Sequence, residues 1–437
     1  MNLEYMKYVS TNGLAPAVSF REAVMQGQAP DGGLYVPEEI PSFPPSFFQE
    51  LPDLSWAEIA FRVARPFAGD DLPDDILWQI ITEALNFNIP LIRVRDHIYV
   101  LELFHGPTLA FKDVGARFMS RCMAYFSGEE EKKLTILVAT SGDTGSAVAS
   151  GFLGVEGVDV VILYPRGKVS EIQEKQFTTL GCNITALAVE GTFDDCQRLV
   201  KTAFADGELT GQLRLSSANS INIGRLLPQS FYYYYALAQL CEKGAQPVVS
   251  VPSGNFGNLT SGLMAAATGL PVARFVAATN ANRVFPDYLE KGVFTPRPSV
   301  ETLSNAMDVG NPSNLARIRH LFGDDVMEVR KRITSFSFTD EETRAAIHEV
   351  YATTGYVLDP HSAVAYLGLV RAIDNAETPG IFLATAHPAK FKDVVAEETG
   401  RLPEIPGRLA ECMGREKKSI PIGKEYHELK AFLLRDS

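Results

Sequence analysis

Cysteine is scarce in this chain. The five residues Cys122, Cys182, Cys196, Cys241 and Cys412 are scattered, odd in number and include no C-x-x-C pair. That excludes a disulfide framework or a zinc site as the organising device and points to a reducing, cytoplasmic compartment. Long apolar runs are also missing, and Met1–Tyr5 carries acid with no apolar core of signal-peptide length, so neither a membrane span nor a membrane partner is expected. Positive charge is in deficit. With 40 Lys and Arg against 53 Asp and Glu, the net charge is -13 and the isoelectric point near 5.1. Nucleic-acid binding draws on clustered cations, so it is not expected here, whereas a small anion needs only a few local groups. What remains is an ordinary globular composition, 46% hydrophobic and 21% charged, over 437 residues. Such a chain is long enough for two or three domains.

The first ~90 residues read as short helical patterns interrupted by Pro37, Pro41, Pro44, Pro45 and Pro52. Tyr99–Leu103 then reads as a strand. From there one device recurs: an apolar strand, a Gly/Ser/Asn turn, a helix. Leu134–Ala139, Val158–Tyr164, Ile184–Val189, Pro247–Val251, Arg274–Ala278 and Ile381–Ala384 are the expected strands. Alternation of this kind predicts an α/β fold with parallel sheets, and ligands in such sheets sit beyond the carboxyl ends of the strands. No internal repeat or low-complexity tract is present.

Lys112 is the most informative residue. It opens an amphipathic segment in which Phe111, Val114, Gly115, Phe118 and Cys122 share one helical face. An amine at the first turn of a helix, beside apolar walls, has its charged form disfavoured, which makes it nucleophilic and able to form a Schiff base. On residue type alone, a solvated surface lysine is the commoner outcome. Ser253–Asn258 (SGNFGN) suits a phosphate cradle: Gly254 and Gly257 would adopt positive φ and allow close approach, and the following helix would direct free N–H groups at the anion. On the bare pattern alone, a strand-to-helix turn that needs glycine for geometry only is the commoner outcome. It is neither a Walker A loop nor a dinucleotide turn. Thr140–Gly145 (TSGDTG) adds the hydroxyls of Thr140, Ser141 and Thr144 to a helix start, suiting a carboxylate or phosphate; Asp143 could be a ligand-facing group or simply a turn former. Asn219–Arg225 (NSINIGR) is weak as a bare pattern, and Lys168 is a weaker cationic candidate. Thr385 ends the last strand, where a helix-capping role is also open. His105, His361 and His387 have no metal-ligand spacing and read as structural; no metal is expected. Tyr232–Tyr235 cover all faces of a helix after Pro228 and read as packing. The charged stretch Arg415–Lys418 reads as a solvated loop.

These words together, Phe104–Asp113 (FHGPTLAFKD), TSGDTG, SGNFGN and Thr385–Phe391 (TAHPAKF), with Gly33–Pro37 (GLYVP) and Ser304–Asn314 (SNAMDVGNPSN), resemble the blocks of threonine synthases in the family's order. These are pyridoxal 5′-phosphate enzymes of fold type II, here of the longer variety. The resemblance implies an N-terminal domain at 1–95 and a catalytic region at 96–437, with a small α/β domain inserted at about 132–225 that closes over the cofactor. It implies that Lys112 carries the cofactor and moves protons. Gly254, Asn255, Phe256, Gly257 and Asn258 would hold its phosphate, Thr385 would face its pyridine nitrogen, and Asp143 would stand where many relatives place an Asn against the phenolic oxygen. Thr140, Ser141 and Thr144 would bind the amino-acid substrate, with Asn219, Ser220 and Arg225 gripping its phosphate. The implied reaction converts O-phospho-L-homoserine and water to L-threonine and phosphate. A phospholyase releasing 2-oxobutyrate and ammonia from the same site, or a non-catalytic binder of phospho-amino acids, stay open as alternatives, as does monomer against homodimer.

Overall fold

The computed structural model describes residues 6–128, 132–240, 244–373, 375 and 377–435; Cys241 and Met1–Tyr5 lie outside the described residues. The N-terminal region pairs Tyr8–Ser10 antiparallel with Tyr35–Pro37 and adds four α-helices: Phe20–Gln26, Pro45–Glu50, Trp56–Ala68 and Asp74–Ala84. Capping boxes at Ser19/Glu22 and Ser55/Glu58 start two of them by satisfying otherwise free N–H groups at the helix N-terminus.

Two sheets follow. The larger has six strands in the order Ile333–Ser337, Arg274–Thr279, Val248–Pro252, Gly380–Ala384, Ile98–Glu102 and Leu91–Arg95. All neighbours are parallel except the last pair, so this sheet carries one antiparallel edge that strand-and-turn reading did not anticipate. Leu91–Arg95 is mostly solvated, without the continuous apolar run that marks a strand buried on both faces. The second sheet is wholly parallel, in the order Ile420–Ile422, Ile184–Val189, Val158–Pro165, Leu134–Ala139 and Arg214–Ser217. Its first strand comes from the C-terminal tail, outside residues 132–225. Ile422, Leu429 and Leu433 bury themselves with Leu187, Val189 and Leu199, and that apolar contact docks the tail. Arg415–Lys418 is an exposed loop as expected, yet it is anchored: Lys418 N–H donates to the Thr178 carbonyl at 2.7 Å, and Lys417 pairs with Glu174.

The polar turns fall where parallel-sheet geometry places them. TSGDTG follows Leu134–Ala139, SGNFGN follows Val248–Pro252, and Thr385 follows Gly380–Ala384, each at a carboxyl end. The helix Lys112–Ser127 begins after Ile98–Glu102, and Phe111 N–H donates to the Thr385 carbonyl at 2.9 Å, tying the lysine loop to the neighbouring strand end. Among the described residues, no helix is long and apolar enough to cross a membrane.

Candidate active site

A cavity of about 420 Å³ opens between the strand ends of the two sheets. It is lined by Lys112, Ser141, Thr144, Asn219, Ser220, Arg225, the whole Gly254–Asn258 turn, Thr385 and Lys168. Elements far apart in sequence thus converge as the motif reading expected. Two expected residues do not reach the cavity wall. The Thr140 hydroxyl accepts from Gly142 N–H at 3.0 Å and Gly145 N–H at 2.8 Å, closing its own turn. The Asp143 carboxylate turns away to Lys390 Nζ at 2.8 Å and Gln173 Nε2 at 2.8 Å.

Lys112 stands at the first turn of its helix, partly buried in the cavity wall. Burial pushes its ammonium down from 10.5 to about 8; Asp143 opposes this, and Arg225 and Lys390 assist it. The helix is anchored by Asp113, whose buried carboxylate accepts from Thr108 N–H at 2.8 Å and Thr108 Oγ1 at 2.6 Å. Asp143 responds oppositely: burial alone would raise its carboxyl, but the two lysines and the Gln173 hydrogen bond outweigh it and hold it well below the usual range.

The SGNFGN turn works differently from the expectation of positive φ at its glycines. Neither Gly254 nor Gly257 is left-handed; Phe256 is, at φ 58. Gly254 is demanded by proximity instead, since a Cβ there would meet Met307 Cα at 2.7 Å and the Ala306 carbonyl at 2.9 Å. At Gly257 the nearest atom would be Ser220 Cβ at 3.3 Å, a milder restriction.

The expected substrate segment is knitted to this turn. Asn255 Nδ2 donates to Ser220 Oγ at 2.7 Å, and Asn314 Nδ2 to the same oxygen at 3.2 Å. Asn219 Nδ2 donates to the Ala139 carbonyl at 2.8 Å, holding its loop against the strand that leads into TSGDTG. Arg225 is 2% exposed and donates through Nη1 to the Ala218 carbonyl at 2.6 Å. Gly115 permits that placement, because a Cβ there would lie 2.6 Å from the Arg225 carbonyl. Burial lowers Arg225 to about 10, so it is still charged at neutral pH. Arg317, not singled out from sequence, is fully buried. It donates to the carbonyls of Tyr35, Ser220 and Ile221 and to Asn314 Oδ1, fixing the same loop from behind.

His361 also lines the cavity, but as a brace: Nδ1 meets Asp359 Oδ1 at 2.8 Å, and Nε2 accepts from Ala306 N–H at 3.2 Å. His387 is held neutral, pushed down to about 4 by burial and then by His105. Both fit the structural roles expected of them.

Three family profiles tile the chain: threonine synthase N terminus over residues 7–85, pyridoxal-phosphate dependent enzyme over 83–381, and threonine synthase C-terminal over 362–433. The threonine synthase of Serratia marcescens is 46% identical over 418 residues, covering 95% of this chain and 96% of that protein. The chain belongs to the threonine synthase family. The crystal structure of Escherichia coli threonine synthase superposes with a TM-score of 0.93 at 44% identity, covering 99% of this chain and 100% of that one. The pyridoxal-phosphate-bound threonine synthase of Brucella melitensis gives 0.92 at 37% identity, with 98% of each chain covered. The fold is thereby fold type II, and the family's cofactor is pyridoxal phosphate. The cavity fits such a group. Arg225 Nε, Gln229 Oε1 and Asn258 Nδ2, all on lining residues, are buried without hydrogen-bond partners among the described residues, which suits a polar ligand.

Proposed function

We propose that this chain is a cytoplasmic enzyme of threonine biosynthesis that converts O-phospho-L-homoserine and water to L-threonine and phosphate. The observation that carries this reading is the convergence of one desolvated amine, Lys112, with a glycine-bearing helix-start turn and the buried cation Arg225 on a single cavity. Pyridoxal phosphate, when bound, supplies an electron sink for charge developing at the substrate's Cα. In this reading Lys112 would tether the cofactor and, once displaced by the substrate amine, move protons at Cα and Cβ. Gly254–Asn258 hold the cofactor's phosphate and Thr385 offers a hydroxyl to its ring nitrogen. Ser141 and Thr144 take the substrate carboxylate. Asn219, Ser220 and Arg225 take the substrate phosphate, with Arg225 as the charged partner. Thr140 and Asp143 contribute from behind the wall: Thr140 shapes the turn, and the Asp143 anion opposes the loss of charge on Lys112.

The second sheet, with residues of about 132–225 and the docked tail, is the unit that would close over the site and exclude water until elimination is complete. The decisive assay supplies O-phospho-L-homoserine and scores products. Threonine and phosphate in equal amounts support the proposal. Release of 2-oxobutyrate and ammonia instead would make the chain a phospholyase, and no turnover with tight binding would make it a binder.

A further inference from the structure

Tyr232, Tyr233 and Tyr234 are buried to 1% exposure or less, as packing residues should be. Packing does not account for the destination of two of their hydroxyls. Tyr232 Oη and Tyr233 Oη each lie 2.7 Å from Asn258 Oδ1, and Tyr233 Oη also lies 3.0 Å from the Asn258 backbone carbonyl. Asn258 closes the SGNFGN turn, lies in the first turn of the 11-residue helix Gly257–Ala267, lines the cavity and is 5% exposed. Its Nδ2 is buried and has no partner among the described residues.

A primary amide has one accepting end and one donating end. Tyr232 has no other acceptor among the described residues, so its proton assigns Oδ1 to the tyrosine side and the NH₂ group points away; Tyr233 divides its proton between Oδ1 and the Asn258 backbone carbonyl. Burial raises both tyrosines far above their ordinary range, so the hydroxyl protons are retained at any working pH. The result is a donor fixed in orientation, placed at a helix N-terminus, with no acceptor. A phosphate oxygen is the acceptor that such a position favours.

We infer that Tyr232 and Tyr233 are positioning residues for the cofactor's phosphate: they clamp the Asn258 carbonyl so that its NH₂ group is presented to the anion. The inference rests on the reading of Gly254–Asn258 as the cofactor's phosphate cradle.

The test titrates the full-length protein, stripped of cofactor, with pyridoxal phosphate and separately with pyridoxal, which lacks the phosphate. The Tyr232→Phe/Tyr233→Phe double variant should bind pyridoxal phosphate about tenfold or more weakly and bind pyridoxal as the wild type does. In an Asn258→Ala background the same two changes should add nothing further, because they act through that amide. The ³¹P resonance of the bound cofactor should shift in both variants. Unchanged affinity for pyridoxal phosphate in the double variant overturns the inference. So does an equal loss for both ligands, or a loss that adds to that of Asn258→Ala. Gly254→Val separates this from the underlying reading. If it leaves pyridoxal phosphate affinity intact, the cradle itself is wrong; if it weakens binding while the tyrosine changes are silent, only the clamp fails.

Discussion

Lys390→Met is the perturbation whose consequence the geometry defines most closely. Lys390 Nζ lies 2.8 Å from Asp143 Oδ1, and the two side chains are 0% and 4% exposed. The pair joins the loop after the larger sheet's Gly380–Ala384 strand to the first helical residue after the second sheet's Leu134–Ala139 strand. Removing one partner of a buried pair typically costs about 3–5 kcal/mol, because the other charge is stranded. The loss has a ceiling here, since Asp143 can take up a proton instead. Protonating at pH 7 a carboxyl whose ordinary value is 3.8 costs about 4 kcal/mol. The sign of the pH dependence follows. In the wild type the folded-state value is depressed, so the stability this carboxylate adds is present above pH 3.8 and is lost as pH falls through the folded value. In the variant Lys112 and the Gln173 hydrogen bond still oppose burial but Lys390 does not, so the folded value moves up; where it passes 3.8, the penalty present at pH 7 shrinks by about 1.4 kcal/mol per pH unit on acidification. Urea unfolding at pH 7 and pH 5 measures both quantities. Adding Asp143→Asn to Lys390→Met should recover most of the loss at pH 7, since no charge is then stranded. A loss under about 1 kcal/mol at pH 7 would refute the reasoning. A penalty that does not change with pH, or a double variant no more stable than Lys390→Met, would do the same.

In cofactor-free protein, acetylation of Lys112 should show a midpoint near pH 8, not near the ordinary 10.5, and Asp143→Asn should lower it further because that anion favours the charged amine. With cofactor present, borohydride should fix the label on Lys112 and on no other lysine, as peptide mapping would reveal. Gly254→Ala should weaken cofactor binding more than Gly257→Ala, since the added Cβ meets backbone at 2.7 Å in the first case and a serine side chain at 3.3 Å in the second. Equilibrium titration of both variants decides it. Arg225→Ala should keep the bound-cofactor spectrum while lowering kcat/KM for O-phospho-L-homoserine by about 1.5–3 kcal/mol, roughly 10- to 150-fold. Loss of the cofactor in that variant would reassign Arg225.

The limits of sequence reading follow from which interactions are local. Leu134–Ala139 and Ile184–Val189 form at the expected residues because strands buried on both faces write themselves as continuous apolar runs. Leu91–Arg95 and Ile420–Ile422 are edge strands, partly solvated, and leave no such run. The cavity-lining turns are equally local, since their chemistry lies in five or six consecutive residues. The partners that set their electrostatics are not. Asp143 and Lys390 are 247 residues apart, and Arg317 reaches Tyr35 across 282. Only the closed fold brings them together, and no spacing rule would pair them. Gly254 marks an intermediate case. That a glycine is required there was legible, but the constraint is the Ala306–Met307 backbone and not a left-handed φ, and that segment arrives from fifty residues away.

Charge placement reconciles an acidic protein with a site proposed to take two phosphate groups. The net charge of -13 is a property of the surface, where Asp194 and Glu301 sit exposed at the cavity's mouth beside Lys168. Deeper in, the carboxylates are committed to partners, Asp308 of the cavity lining among them, which accepts from Thr302 Oγ1 at 2.7 Å and Asn280 Nδ2 at 2.9 Å. Asp113 is committed to Thr108, and Asp143 is committed to Lys390 and Gln173. Arg225 and Arg317 have no carboxylate within salt-bridge distance among the described residues, and Arg317 spends its donors on neutral oxygens. A buried guanidinium left without an anion is costly, and burial lowers Arg317 to about 9 for that reason. Two such cations flanking the 219–225 loop are therefore tolerated at a stability cost that a bound anion would offset. A ligand bringing phosphate to this end of the cavity would stabilise the folded chain, while the acidic mouth would disfavour polyanions too large to pass it. On the proposed reading, the site would select small phosphorylated molecules by where its charges lie, not by how many it has.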